Sequence, residues 1–148
     1  MKRRTRPVRE RLLSRIEVDE GSGCWLWKGC PTGDGYGQIR VGGRSDGKTF
    51  LAHRLAYETF RGPIPEGLTL DHLCRVRRCV NPAHLEPVTM RENILRGESL
   101  AAKNATKSTC KEGHTLDEKN TYLWRGHRHC RACGRKHARE YQRRKRVA

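Results

Sequence analysis

The chain has 148 residues, a formal net charge of +16, and a hydrophobic fraction of only 34% with 6% aromatics. That length allows one modest domain and an appendage, and so lean an apolar content needs a further source of stability. Membrane and secreted classes are set aside: no apolar run is of spanning length, the N-terminus has no signal-peptide core, and neither basic end has a broad apolar face. A positive charge gathered at both ends, in "MKRRTRPVRERLLSR" and "RGHRHCRACGRKHAREYQRRKR", points to a polyanionic partner, with nucleic acid the default.

Residues 1–20 read as a basic arm with a short helix over Val8–Val18, where Val8, Leu12 and Ile16 share a side with Leu13 beside them. Residues 21–97 read as the core domain. Within it "GCWLWKG" and "GYGQIRVGG" are glycine-bounded strands of a small antiparallel sheet. "GKTFLAHRLAYETFRGPIPEG" runs from a strand into a helix whose apolar side is Leu51, Ala52, Leu55, Ala56 and Phe60, and Gly62-Pro63 ends it. His53 on that helix is read as structural. A strand over "LTLDHL", a tight Cys/Arg loop and a return strand over "AHLEPV" form a hairpin. "TMRENILRG" follows as a helix that starts on a Thr89/Glu92 capping box and stops at Gly97. Residues 98–108 read as a polar linker into which the helix could extend. Residues 109–148 form a second module, with two small strands in "NTYLW" and "GHRH" and a basic helical tail. The fold class is α+β.

Seven cysteines and seven histidines supply the missing stability. The cysteine count is odd and the histidines stand at ligand spacing, which favours metal over disulfides. Cys74, Cys79 and His84 are evenly spaced on the tight loop and suit a tetrahedral zinc, with Cys24 as the fourth ligand and Cys30 as its competitor. A second set, Cys110-x3-His114 and Cys130-x2-Cys133, has two short ligand pairs around a hairpin-sized insert, with His127, His129 and His137 nearby as substitutes. Four protein ligands leave no open position on the metal, so both zinc ions are expected to be structural. Zinc binding worth about 10–16 kcal/mol in small zinc peptides exceeds most of a domain's net stability.

The zinc assignment leaves Asp71, His72 and Asn93 unused. A carboxylate and an amide oxygen are hard ligands suited to Mg²⁺, and an unmetallated histidine is free to accept a proton from water. The series "DHLCRVRRCVNPAHL" followed by "TMREN" resembles the HNH endonucleases, in particular the zinc-containing branch related to His-Cys box homing endonucleases. The likeness extends through "CWLWKG", "GYGQI" and "HRLAYETFRGPIPEG", and "CKEGH" with "CRAC" is similar to a zinc module often appended to phage members. It covers about residues 22–137.

The resemblance implies a ββα-metal finger in which His72 is the general base and Asp71 and Asn93 hold one catalytic Mg²⁺ (or Mn²⁺). It implies a structural zinc on Cys24, Cys74, Cys79 and His84, and an arginine on the scissile phosphate, for which Arg40 and Arg44 are candidates. It further implies double-stranded DNA as substrate, a monomer or homodimer, and a phage or mobile-element origin with action in the cytoplasm of a bacterial cell. The competing reading is a zinc-stabilised DNA-binding regulator, which has no use for Asp71, His72 and Asn93 together. An RNA-binding module comes third, because few exposed aromatics are expected to offer stacking platforms.

Overall fold

The computed structural model describes residues 6–43 and 45–147, so the first five residues of the basic arm and Arg44 lie outside the described residues. Two compact units meet in the chain between Asn93 and Ile94. No described helix is long and apolar enough to cross a membrane.

The first unit begins with α1 (Val8–Leu13), which starts after Pro7 and buries Leu12. The helix stops at Leu13, short of the Val18 expected from periodicity. Ile16–Asp19 instead form β1, paired antiparallel with β2 (Cys24–Trp27) from Ile16↔Trp27 to Asp19↔Cys24. Ile16 and Val18 are β-branched, and an available strand edge outweighs the helical spacing of so short a segment. The Asp19 carboxylate accepts from the Gly21 N–H and the Ser22 hydroxyl and so closes the turn to β2.

β3 (Gln38–Val41) and β4 (Lys48–Leu51) form a second hairpin, and β4 runs directly into α2 (Ala52–Phe60). Leu12, Trp27, Ile39, Ala52, Ala56 and Val80 make the core, so α1, β2, β3, α2 and the later Cys/Arg loop each contribute to it. The Trp27 indole fits because two neighbours lack side chains: a Cβ would lie 2.5 Å from the indole at both Gly29 and Gly37. Either position is therefore closed to alanine without a shift of the ring.

β5 (Leu68–His72) and β6 (Leu85–Thr89) pair from Leu68↔Thr89 to His72↔Leu85, and α3 (Met90–Arg96) follows at once. Its N-terminus carries the expected capping box, with the Glu92 N–H donating to Thr89 Oγ1 at 3.1 Å and the Thr89 N–H donating to Glu92 Oε2 at 3.4 Å. The described strands make four two-stranded sheets, so the two strands expected to share a small sheet lie apart, β2 paired with β1 and β3 with β4. A two-stranded ribbon is marginal by itself, so each needs a helix, a core or a metal beside it.

In the second unit, residues 98–108 hold α4 (Leu100–Thr106), capped by Ser99 Oγ accepting from the Ala102 N–H at 3.1 Å. β7 (Thr121–Trp124) and β8 (His127–Cys130) form the last hairpin and lead into α5 (Arg131–Val147), the basic tail. Asn120 ties these parts together. Its Oδ1 accepts from the Ala132 N–H at 2.9 Å, and its Nδ2 donates to the Thr115 carbonyl at 2.7 Å and towards Cys130 Sγ at 3.3 Å.

Candidate metal centres and active site

β2 has a second neighbour. The Trp27 N–H donates to the Arg78 carbonyl and the Val80 N–H to the Trp25 carbonyl, at 3.0 and 2.8 Å, so residues 78–80 of the Cys/Arg loop lie along it. Asn81 Nδ2 adds a bond of 2.7 Å to the Gly23 carbonyl. These bonds carry Cys24 into the loop. The ligand atoms of Cys24, Cys74, Cys79 and His84 all lie within 4.8 Å of one another, while Cys30 is exposed and outside the group. His84 Nδ1 is 3.6 Å from Cys24 Sγ and 3.7 Å from Cys79 Sγ. Zinc–ligand bonds of about 2.0–2.3 Å in a tetrahedron give edges of about 3.5–3.8 Å, so the residues present fit a zinc ion.

Cys110, His114, Cys130 and Cys133 form an equivalent group in the second unit. His114 Nδ1 lies 3.4 Å from both Cys110 Sγ and Cys133 Sγ, and those sulfurs are 3.6 Å apart. The three alternative histidines stay out of it: His129 stacks on Tyr122, His127 pairs with Trp124 across the hairpin, and His137 faces Glu140. The sulfurs respond to their surroundings in opposite ways. Burial pushes the Cys79 thiol up to about 12, whereas the Cys133 backbone N–H draws Cys130 down to about 6. A bound cation would be needed to hold Cys79 as a thiolate at neutral pH.

Asp71 and His72 end β5, and both are buried, at 2% and 7% exposure. His72 Nε2 lies 3.1 Å from the Cys79 carbonyl. That oxygen can only accept, so Nε2 carries the proton and Nδ1 keeps the lone pair. Neither ring nitrogen is in the zinc group. Burial lowers the His72 pKa below the usual histidine value, against the Cys79 carbonyl and Asp71, which raise it. The imidazole is therefore neutral at neutral pH.

Its ring is walled by His53, which the sequence marked only as structural, and by Tyr36, which it did not single out. His53, the second residue of α2, has its ring centroid 4.9 Å from that of His72, and Tyr36 stands 5.7 Å from His72 and 5.3 Å from His53. His53 Nδ1 is buried and has no hydrogen-bond partner among the described residues. Burial, with His72 and Arg54 nearby, brings the His53 pKa down to about 3. Tyr36 is covered on one side by the Arg77 guanidinium at 5.8 Å. Nothing in the spacing of "LAHRLAY" distinguishes His53 from a core residue, because its neighbour is set by how α2 crosses β5.

An arginine that spacing did not single out stands beside the Asp71 carboxylate. Arg75, held at φ 58° in the turn after β5, donates from its guanidinium to Asp71 Oδ1 at 2.5 Å. Arg40 lies within β3 opposite Thr49, and its side chain reaches the β3–β4 turn, where a Cβ at Gly47 would meet its Nε at 2.7 Å. Arg44 is outside the described residues. Asn93 is half-buried on α3, four residues past the strand end at Thr89.

The family model described as HNH endonuclease matches residues 50–95, which hold His53, Asp71, His72, Asn93 and three ligands of the first cluster. An uncharacterized gene 5.3 protein of Enterobacteria phage T3 is 38% identical over 65 residues, covering 43% of this chain and 64% of that protein. Protein 7.7 of Escherichia phage T7 is 33% identical over 98 residues, covering 66% of this chain and 67% of that one. The chain thus spans about two thirds of each relative. A solved structure of DNA binding and cleavage by the HNH homing endonuclease I-HmuI superposes with a TM-score of 0.43 at 25% identity, covering 66% of this chain and 63% of that one.

Proposed function

The chain belongs to the HNH endonuclease family, and on that premise we propose that it hydrolyses phosphodiester bonds in double-stranded DNA with the help of a divalent cation. The observation that carries this reading is His72: neutral, unligated, fixed through Nε2 on the Cys79 carbonyl, and next in sequence to a buried carboxylate. A bond that fixes one ring nitrogen sets the tautomer and the direction of the other, as a general base needs.

In the proposed reaction His72 Nδ1 takes a proton from water as the water oxygen bonds to phosphorus and the P–O3′ bond breaks. The buried Asp71 carboxylate stabilises the imidazolium so formed, and His53 and Tyr36 hold the ring against rotation. Asp71 and Asn93 would hold Mg²⁺ (or Mn²⁺), two oxygen donors suited to a hard cation, which would supply Lewis-acid stabilisation of the phosphate and the leaving oxygen. Arg75, already aimed at Asp71, takes the phosphate-holding role in preference to Arg40. A zinc ion on the first cluster would keep these side chains in place, and neither cluster has an open position for chemistry. Phage relatives support a phage or mobile-element nuclease acting inside a bacterial cell.

The test is conversion of supercoiled plasmid to nicked circles with and without Mg²⁺ or Mn²⁺, in the unaltered chain and in Asn93→Ala. Nicking that needs the added cation and is lost in Asn93→Ala supports the proposal. Plasmid that is bound but never nicked with either cation would leave a zinc-held DNA-binding protein in its place.

A further inference from the structure

The β7–β8 hairpin has a face for which the proposed cleavage has no use. Alternation along the strands puts Tyr122 and Trp124 on one face with their cross-strand partners His129 and His127. Tyr122 stacks on His129 at 5.3 Å and 26°, and Trp124 meets His129 edge-on at 5.9 Å. Guanidinium groups flank the row, Arg125 at 4.6 Å from the Trp124 centroid and Arg131 at 5.4 Å from Tyr122. Trp124 is nevertheless 55% exposed and Tyr122 39%.

The platform is rigid. Its turn is the two-residue Arg125-Gly126 pair with φ of 49° and 77°, the backbone of a tight I′ hairpin turn, and β8 ends on the cluster residue Cys130. The opposite face carries Thr121 and Cys130 and supplies the attachment to the cluster, so folding of the unit does not require an indole on the outside.

We propose that this face stacks the bases of single-stranded DNA, so that the preferred substrate combines unpaired nucleotides with duplex. The inference deepens the nuclease reading and takes its substrate class from it. Flat rings in a row, with a guanidinium beside both Tyr122 and Trp124, match a strand whose bases offer π-faces and whose phosphates offer negative charge. In an intact duplex those π-faces are covered by neighbouring base pairs. A protein partner would favour an apolar patch with a mixed polar rim, whereas this rim is arginine. Stacking is also tolerant of sequence, which suits an array with no carboxylate or amide aimed from it at base edges.

The test is fluorescence anisotropy of the zinc-loaded full chain with a labelled oligothymidine strand and an abasic strand of equal length and charge, without added Mg²⁺. The thymidine strand is expected to bind about 5- to 100-fold more tightly. Trp124→Ala should remove most of that ratio and Trp124→Leu should do the same, whereas Trp124→Phe should keep it; the salt slope should not change. Equal affinity of the unaltered chain for the two strands overturns the proposal, even if every variant fails to fold. So does a Trp124→Ala chain that weakens both strands alike. A dimer seen by light scattering that Trp124→Ala splits, with no base-dependent ratio, assigns the face to a second copy and also overturns it. Because no cation is added, the outcome is independent of cleavage: an inert chain that prefers bases sinks only the nuclease reading, and a cutting chain with a ratio of one sinks only this one.

Discussion

The two cysteine–histidine clusters share their ligand types but not their surroundings. In the first unit Cys24 and Cys79 are buried beside a core of Leu12, Trp27, Ile39 and Val80; in the second all four ligands are half-exposed. Ala102 is the one buried hydrophobic residue described beyond Asn93. The first unit thus has apolar burial and a set of metal-ligating side chains together, and the second has such a set and a few hydrogen bonds through Asn120. The base proposed at His72 would need a dry, stiff wall. The unit with two sources of stability is the one that carries it.

Removing the second cluster alone should separate the two units most clearly. Cys133→Ser should cost the second unit its fold, since zinc binding of about 10–16 kcal/mol is most of what holds it. The tryptophans read the outcome separately. The Trp124 indole NMR signal should move to its unfolded position while those of Trp25 and Trp27 stay, and zinc by native mass spectrometry should fall from two ions to one. A Trp124 signal that stays dispersed would show a core in the second unit that burial does not reveal.

Acid should strike the first unit through His53. Its folded pKa of about 3 lies below the ordinary histidine value of 6.5. Above pH 6.5 both states are neutral and nothing changes. As pH falls from there towards 3 the unfolded chain takes up a proton that the folded one refuses, so stability drops by up to about 1.4 kcal/mol per pH unit. Clusters also release metal in acid, so the reading is a difference: His53→Phe should flatten the loss in urea-unfolding stability between pH 6.5 and 5 relative to the unaltered chain. Equal slopes would place His53 in a wetter site than the structure does.

Smaller, and confined to the first unit, is Gly37→Ala. Its new methyl would press on the Trp27 ring and cost about 1–3 kcal/mol in urea unfolding, with zinc content and the Trp124 signal unchanged. A neutral effect would mean that the indole pocket can relax.

How much of this was legible in the sequence varies with the range of the determining contact. The β5–β6 hairpin, the Thr89/Glu92 cap and the basic last helix follow from local pattern, and the structure has them where the pattern puts them. The cysteine spacing that suggested two zinc groups has its counterpart in two groups of adjacent ligand atoms. Features set by distant pairing were not legible. Ile16–Val18 read as helix because nothing local announces the β2 edge, and the strands now β2 and β3, expected in one sheet, pair with different partners. Cys24 and Cys30 could not be separated until residues 78–80 were seen to lie along β2. His53, Tyr36 and Arg75 come to His72 and Asp71 from α2, a loop and a turn, and no spacing encodes those meetings. Few aromatics were expected to be exposed, yet one hairpin face gathers Tyr122 and Trp124.

One variant reaches the centre of the account. His72→Ala, assayed for bound zinc, plasmid affinity and Mg²⁺-dependent nicking, should keep two zinc ions and its grip on plasmid while nicking falls about 100- to 10,000-fold. A lost zinc ion, or nicking that persists undiminished, would show that this imidazole is not an unligated base and that the chemistry lies elsewhere.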